Sequence, residues 1–260
     1  MRTSTVILGT GGAVLTAHRD NTALAFRMGE QAVLVDCPGS VCLKLLRAGI
    51  APERLAALVI THAHPDHLYG LPSLIHNLWM ADRGRTSPVL PVWAPAPELE
   101  KIRRLLAVFD LERRAAFLEL RALPTDPAAP FFERDGHRLF AHPVDHGPPA
   151  FAIRWDTAGG HRVLYSTDTR PVESLAAFGR GADLLAHEAT YAEAQADLAR
   201  AGGHSTPAQA GRIAALAGAG RLVLLHLTDT AVPEQWVAEA MTAFDGPVEV
   251  PGDGAQYPLD

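Results

Sequence analysis

Residues 61–67, Thr-His-Ala-His-Pro-Asp-His, concentrate side chains that bind divalent metal ions. Four of them carry metal-capable groups: His62, His64, Asp66 and His67. Imidazole nitrogens and a carboxylate together suit zinc or another borderline divalent ion. The alternative is a set of polar loop residues that merely lie close together. Three crowded imidazoles repel one another when protonated, and nothing else in the loop offsets that repulsion, so the stretch predicts a metal site.

The elements around this stretch are a buried strand and a helix. Residues 55–60, Leu-Ala-Ala-Leu-Val-Ile, form a short apolar run that is typical of a buried strand. From residue 68 to about residue 83, Leu71, Leu74 and Leu78 recur at helical spacing. The metal-capable side chains therefore lie on a strand-to-helix loop, where they can converge while the flanking elements stay rigid.

Further chemically active side chains follow other predicted strands. They are Asp36 after strand 31–36, His146 after 138–144, Asp168 after 162–166, His187 and Glu188 after 184–186, and His226 after 221–225. Loops at one edge of a scaffold are where sites are built, and these residues supply enough ligands for two ions. We expect Asp36 to orient other side chains of the loops, with an Asx-turn cap as its alternative role. His187 is interpreted as structural.

The alternation of elements indicates an α/β fold. β-rich stretches followed by helices occur twice, which predicts two sheets packed face to face with helices outside, in a single domain over residues 1–260. The remaining strands are predicted at 5–8, 21–28, 89–94, 117–122, 131–134 and 151–155, and near 248–250. Helices are predicted at 41–48, 98–108, 192–200 and 234–244, and after His204, where Ser205 or Thr206 is the expected N-cap. Gly9, Gly11 and Gly12 read as a tight turn rather than a phosphate cradle, because no G-x-G-x-x-G or Lys-Ser/Thr pair follows.

Composition excludes several classes of protein. A net charge of −6 argues against a dominant nucleic-acid-binding surface. Residues 83–121 carry eight basic and five acidic side chains, which favours a solvated helix face over an anion-binding patch. No apolar run is long enough to span a membrane, and the N-terminus lacks a signal-peptide core, so the expected compartment is the cytoplasm. Cys37 and Cys42 are too few for a disulfide framework and are interpreted as small buried apolar residues.

The motif at residues 61–67 resembles the H-x-H-x-D-H signature of the metallo-β-lactamase superfamily, and His146, Asp168 and His226 follow in the order that this superfamily uses. The resemblance implies an αββα four-layer sandwich with metals at one edge of the two sheets. It also implies two divalent ions, of which zinc is expected and Mn²⁺ or Fe²⁺ are alternatives. The implied ligands are His62, His64 and His146 for one ion, Asp66, His67 and His226 for the other, and Asp168 between them.

Within the superfamily, the chain is similar to the ribonuclease Z-like branch of tRNA 3′-end endonucleases. The sequence motifs that support this similarity are residues 8–12, residues 34–36, His-Glu-Ala-Thr-Tyr at 187–191 and His-Ser-Thr at 204–206. The resemblance implies a phosphodiesterase with a metal-bridging hydroxide as nucleophile, in which His204 assists the leaving group and Glu188 orients His204. Asp66 is expected both to bind metal and to steer the nucleophile. A homodimer is a further expectation from the related enzymes.

One departure concerns the substrate. The tRNA-processing enzymes usually carry a protruding arm between the ligands that correspond to His146 and Asp168, whereas this interval is short and fits only a compact hairpin. The expected partner is therefore a small-molecule or nucleotide phosphodiester, with RNA as the less favoured substrate and an arm within residues 83–121 as an alternative. Two other functions stay open: hydrolysis of a lactone, thioester, β-lactam or other ester at the same centre, and non-hydrolytic metal or partner binding.

Overall fold

A computed structural model describes residues 3–81, 89–111, 113–114 and 116–259. The helix that is predicted to end near residue 83 ends at Met80, while Arg83, Arg85 and Glu112 of the mildly basic segment lie outside the described residues. The described chain clusters into two compact units. Unit 1 comprises Met1–Gly9, Asn21–Leu123 and Asp253–Asp260, and unit 2 comprises Thr10–Asp20 and Pro124–Gly252.

Strands and helices alternate along the chain much as the sequence predicts. The strands are β1 (Thr3–Gly9), β2 (Ala23–Met28), β3 (Gln31–Val35), β4 (Leu55–Val59), β5 (Leu90–Ala94), β6 (Leu118–Ala122), β7 (Phe132–Arg134), β8 (His137–Val144), β9 (Ala150–Asp156), β10 (Arg162–Tyr165), β11 (Leu184–Glu188), β12 (Leu222–Leu225), β13 (Val248–Glu249) and β14 (Gln256–Pro258). The helices described are α1 (Val41–Arg47), α2 (Pro65–Leu68), α3 (Leu71–Met80), α4 (Leu99–Val108), α5 (Glu173–Phe178), α6 (Ala196–Gly202), α7 (Pro207–Ala217) and α8 (Pro233–Ala240).

Unit 1 holds one mixed sheet in the order β14-β1-β2-β3-β4-β5-β6. β3, β4, β5 and β6 are parallel to their neighbours in this row, so their carboxyl ends lie at one edge of the sheet. Apolar residues at helical spacing turn α3 toward the core, where Leu74 and Leu78 pack in one cluster with Leu34 and Leu58 of the strands. β4 is buried throughout, and so is β3 after its half-buried first residue, Gln31, which explains the apolar sequences of both strands.

Unit 2 holds a second mixed sheet in the order β13-β12-β11-β10-β9-β8-β7. β10, β11 and β12 are mutually parallel, while β8, β9 and β10 form an antiparallel meander. Because two antiparallel steps restore the direction, β8 ends at the same edge as β10, β11 and β12. Leu164 and Leu224 of the sheet pack in one core with Phe178, Ile213 and Trp236 of α5, α7 and α8.

Three sequence-based boundaries are corrected. β11 runs to Glu188, two residues beyond the predicted end at 186, because His187 and Glu188 still pair with β12. The helix predicted at 192–200 begins at Ala196, after a 3₁₀ turn at Glu193–Gln195. The helix predicted at 234–244 ends at Ala240. The terminal strand β14, which pairs with β1, is absent from the sequence-based prediction. Among the described residues, no helix is long and apolar enough to cross a membrane.

Candidate metal centre

In unit 1, the histidine-rich loop lies where the parallel strands β3 and β4 end. The backbone N–H of Asp36 donates to the carbonyl of Val59 at 2.8 Å, which joins the two strand ends. Beyond β4 the chain turns into α2, whose N-cap is His64 and whose first residue is Pro65, a residue suited to that position. His62 Nε2 lies 3.1 Å from His64 Nδ1, and His67 Nε2 lies 3.6 Å from Asp66 Oδ2. The four predicted ligands of this loop therefore converge.

Asp36 fixes the conformation of this loop through hydrogen bonds. Its carboxylate accepts hydrogen bonds from the backbone N–H of Thr61 and from His67 Nδ1, both at 2.8 Å, and from the Thr61 hydroxyl. Burial raises the pKa of Asp36, while the neighbouring His67 and Thr61 act in the opposite direction. Asp36 therefore has the orienting contacts that its position at a strand end predicts, and they leave His67 Nε2 directed toward Asp66.

In unit 2, three strand ends bring together the other predicted ligands. His146 follows β8, Asp168 follows β10 and His226 follows β12. Asp168 Oδ2 lies 3.2 Å from His226 Nε2 and 3.9 Å from His146 Nε2. One ligand atom each from Asp168, His204 and His226 falls within 4.8 Å of the other two. Ligands at this spacing suit a divalent ion.

Glu188, at the end of β11, is the hub of the polar network of unit 2. Oε1 accepts from the backbone N–H groups of Thr169 and Ser205 at 3.0 and 3.1 Å, and from His204 Nδ1 at 3.0 Å. Oε2 accepts from the hydroxyl of Thr190 at 2.8 Å. The carboxylate is fully buried, so these donors replace the water that an ionised acid requires. His204, at 14% side-chain exposure, stays accessible at the opening of α7.

The tautomers of three histidines fit metal binding. His146 Nδ1 must donate to the carbonyl of Gly203 at 2.8 Å, and His67 Nδ1 donates to the Asp36 carboxylate. His226 Nδ1 donates to the Thr190 hydroxyl at 2.9 Å, since that hydroxyl gives its own proton to Glu188. Each Nε2 then carries its lone pair, as a metal ligand requires. Burial also lowers the pKa of His146, which favours the neutral ring that binds metal.

The backbone at the strand ends adopts a conformation that most residues avoid. Asp36, Thr167 and His226 have φ angles of 64°, 54° and 57°. Such left-handed positions cost about 1–3 kcal/mol for non-glycine residues and are frequent at functional sites. Gly203 has φ of +83°, and a Cβ there would lie 2.8 Å from His146 Nδ1. The glycine thus allows its carbonyl to reach the His146 ring.

Two residues of the site escape the sequence analysis. Thr61 contacts both Asp36 and His62, and Thr190 contacts Glu188, His204 and His226. The sequence points to Thr190 only through its position in the His-Glu-Ala-Thr motif at residues 187–190. His187 is buried in β11 with Nδ1 on the Glu188 carbonyl at 2.6 Å, in accord with a structural role.

Comparison with known proteins gives the family. The beta-lactamase superfamily domain matches residues 31–227, and the chain belongs to this family. A ribonuclease Z of Mycobacterium bovis (strain BCG / Pasteur 1173P2) is 30% identical over 95% of each chain. The crystal structure of the metallo-β-lactamase fold protein YhfI from Bacillus subtilis is 26% identical, covers 99% of this chain and 100% of its own, and superposes with a TM-score of 0.87. The short form of human tRNase Z, at 24% identity over 99% of each chain, shares the fold with a TM-score of 0.81.

These relatives confirm the metallo-β-lactamase fold and the ribonuclease Z-like branch that the sequence motifs indicate. They also confirm the prediction of a metal-dependent hydrolase of the phosphodiesterase type. The His and Asp cluster supplies groups that bind divalent metal. The identity of the metal and the roles of individual residues stay predictions.

Proposed function

We propose that this chain cleaves phosphodiester bonds of small nucleotides or of RNA by means of two divalent metal ions, of which zinc is the first candidate. The proposed ligands are His62, His64 and His146 for one ion and Asp66, His67 and His226 for the other, with Asp168 shared. The observation that carries the proposal is the pairing of His204 with the buried Glu188 beside Asp168 and His226. A metal site alone would serve many hydrolases, whereas a carboxylate-oriented histidine beside it supplies the proton that a departing alkoxide needs.

When bound, the two ions lower the pKa of water and stabilise negative charge on the phosphate oxygens. Asp66, whose carboxylate lies beside His67, accepts a proton from the attacking water. Glu188 accepts a hydrogen bond from His204 Nδ1 and so stabilises the charged imidazolium. The oxygen of the attacking water forms a new bond to phosphorus, the P–O bond to the leaving group breaks, and His204 Nε2 donates its proton to the leaving oxygen.

The compact β9–β10 connection supports a small nucleotide or a single-stranded RNA end as substrate. β9 and β10 pair directly, and the N–H of Thr157 bonds to the carbonyl of His161 at 2.8 Å to close the turn. No arm lies between these strands. The described part of the segment 83–121 consists of β5, a 3₁₀ turn, α4 and β6. Relatives named ribonuclease Z support RNA, and the ribose phosphodiester is common to both substrate types.

A substrate panel tests the reaction class. Metal-loaded protein should cleave bis(p-nitrophenyl) phosphate, 2′,3′-cyclic AMP or a short RNA with a 3′ extension at least 100-fold faster than p-nitrophenyl acetate, nitrocefin or a homoserine lactone. Faster turnover of any of the three esters would replace the phosphodiesterase with an ester hydrolase. Less than one ion per chain, with no activity after metal reconstitution, would instead indicate a non-catalytic protein. Metal analysis of the same sample identifies zinc, manganese or iron.

Two variants test the roles of the residues. His204→Ala should keep both ions and lose roughly 10²–10⁴-fold in kcat, because it removes a proton donor. Asp168→Ala should lose at least one ion. His76→Ala is the matched control, since His76 is an exposed histidine of α3. Full activity in His204→Ala would remove that residue from the mechanism.

Two further parts of the proposal concern the state of the protein. We expect a homodimer, which light scattering after gel filtration measures, and a cytoplasmic location, which fractionation of the source cells measures. The homodimer is expected from the related enzymes. The location rests on the sequence composition and on the described residues, none of which forms a membrane-spanning helix.

A further inference from the structure

A cavity with a basic lining lies in unit 2. It has a volume of about 700 Å³ and is lined by β8, β9, β10 and α5. Cavities of this size accept small organic ligands. Its walls carry three arginines, Arg138, Arg154 and Arg162, together with His142 and Ser174. Asp156 is the carboxylate of the lining.

The cavity is separate from the catalytic residues of unit 2. Arg138 and Arg162 lie at the beginnings of β8 and β10, whereas His146 and Asp168 follow the ends of the same strands. At about 3.3 Å per residue, Arg138 is roughly 20 Å from Val144, the last residue of β8. The cavity and the candidate metal ligands therefore occupy different parts of this sheet.

Two of the arginines are fixed by local contacts. Arg162 Nε donates to Asp156 Oδ1 at 2.8 Å and its Nη2 donates to Oδ2 at 3.2 Å, which makes a bidentate pair. The Arg154 guanidinium lies 4.0 Å from the centre of the Phe140 ring and donates to the carbonyl of Phe178 at 3.0 Å. Burial lowers the pKa of Arg154, and Arg162 and Arg138 lower it further, although Asp156 acts against them. One carboxylate thus faces three guanidinium groups.

Arg138 is the arginine that remains available. It is exposed on β8, and its guanidinium lies 5.7 Å from the Phe140 ring centre. Glu133 on β7 and Asp156 on β9 are its cross-strand neighbours, but within the part of the chain that the structure describes neither carboxylate forms an ion pair with it. His142 Nε2 and the Ser174 hydroxyl lie 2.9 Å apart on the same wall and add neutral hydrogen-bonding groups. The lining of the cavity therefore carries three guanidinium groups and one carboxylate together with polar groups, in a protein whose net charge is −6.

We propose that this cavity binds a phosphate group, with Arg138 as the principal charged contact. Guanidinium groups recognise both phosphates and carboxylates, but a phosphate monoester or diester presents more acceptor oxygens. The arginine, hydroxyl and imidazole groups around the cavity can serve those additional oxygens. The phosphate belongs either to a free nucleotide or to the backbone of an RNA strand. The proposal needs no metal and stands apart from the proposed catalytic reaction.

Calorimetric titration tests the proposal with three phosphate probes: inorganic phosphate, AMP and a twelve-nucleotide single-stranded RNA. Metal-loaded wild type, Arg138→Glu and Arg138→Lys are compared. Arg104→Glu serves as the matched control, because Arg104 is an exposed arginine of α4 and the charge change is the same. Arg138→Glu should weaken binding of at least one probe tenfold or more, Arg138→Lys should weaken it less, and the control should bind as wild type. Circular dichroism confirms the fold of each variant.

The outcomes distinguish the ligand sources. Tight binding of AMP with weak binding of the RNA identifies a free nucleotide, and the reverse identifies the RNA backbone. The Arg138-dependent binding should persist after EDTA treatment, and Arg138→Glu should keep wild-type turnover of bis(p-nitrophenyl) phosphate. Equal affinities in wild type and Arg138→Glu, or equally tight binding of malonate, would overturn the phosphate site. Neither result would affect the proposed phosphodiesterase, which the ester panel tests.

Discussion

At the scale of single residues, one hydroxyl connects the main polar groups of unit 2. Thr190 Oγ1 lies 2.8 Å from Glu188 Oε2, 2.9 Å from His226 Nδ1 and 3.2 Å from His204 Nδ1. The Thr190 hydroxyl therefore sets the tautomer of His226, a proposed metal ligand, and the orientation of His204, the proposed proton donor. Partners of metal ligands commonly change affinity or activity by 10–100-fold when they are removed.

Thr190→Val should therefore lower kcat/KM for bis(p-nitrophenyl) phosphate by about 10–100-fold, because valine keeps the shape and removes the hydroxyl. Metal content at limiting zinc should fall in parallel, since His226 loses its partner. Thr242→Val is the control, because it removes an exposed hydroxyl that bonds only locally to the Glu239 carbonyl. Wild-type kinetics and zinc content in Thr190→Val would show that the hydroxyl does not position these groups.

His187 should make stability depend on pH. Burial lowers its pKa, and no partner for its Nε2 exists within the described residues. The unfolded chain thus binds a proton at higher pH than the folded chain does. The free energy of unfolding is therefore highest above the ordinary histidine pKa of about 6.5. It falls as the pH drops through the lower pKa that His187 has in the folded chain.

His187→Leu should accordingly flatten the fall of the unfolding free energy below pH 6.5, by at most about 1.4 kcal/mol per pH unit for one proton. Urea denaturation of metal-free protein from pH 7.5 to 5 measures the slope. His76→Gln, an exchange of an exposed histidine, should keep the wild-type slope. An unchanged slope in His187→Leu would mean that this ring does not contribute.

Residue types explain which of these groups the sequence predicts. Histidines and acids at strand ends are conspicuous because such groups seldom crowd without a ligand. Thr61 and Thr190 are ordinary residues whose importance comes from contacts across the fold, so their types carry no signal. Gly203 is similar: its positive φ and its closeness to His146 arise only when α6 and the loop after β8 are both in place.

At the scale of elements, helix α7 begins directly after the His-Ser-Thr stretch at residues 204–206. Thr206 is its N-cap and forms a capping box with Gln209, and Pro207 occupies the first turn, as the sequence predicts. Thr206 also donates to the Glu193 side chain. The cap fixes the chain direction just where Ser205 bonds to Glu188 and Thr169. The helix start therefore helps to place His204.

Thr206→Ala should lower the free energy of unfolding by about 1 kcal/mol, because it leaves an N-terminal N–H of α7 without its acceptor. Thr206→Ser keeps the oxygen and should lose much less. Chemical denaturation of the three proteins measures the difference. Equal stabilities of the alanine and serine variants would show that the cap does not contribute.

Elements with strong internal patterns are the ones that the sequence predicts. The apolar strands β3 and β4 fit their predictions, and the amphipathic α3 lies within the helix predicted from residue 68 to about 83, since each carries its own sequence pattern. β14 is three residues long and only partly buried, and pairing with β1, more than 240 residues earlier in the chain, creates it. β11 exceeds its prediction because pairing with β12 extends over His187 and Glu188, which are polar.

At the scale of the whole molecule, the proposed ligands come from both compact units. Unit 1 supplies His62, His64, Asp66 and His67, and unit 2 supplies His146, Asp168 and His226. In the proposed centre, metal binds well only when both units are folded. The prediction of a single domain over residues 1–260 then implies that metal binding stabilises the folded state of both units together. Ligand at 1,000 times its dissociation constant adds about 4 kcal/mol to the stability of the state that binds it.

Zinc-loaded protein should unfold in one calorimetric transition, and EDTA should lower its Tm. Hydrogen exchange separates the units: Asp168→Ala, a change in unit 2, should reduce protection of α3 in unit 1 when zinc is present. The same substitution should leave α3 unaffected in EDTA, because no metal then joins the two sets of ligands. His76→Ala is unsuitable as a control here, since it lies on α3, so Thr242→Val of unit 2 takes that place. Protection of α3 that ignores Asp168→Ala in the presence of zinc, or two separate transitions at metal saturation, would indicate that the units bind metal independently.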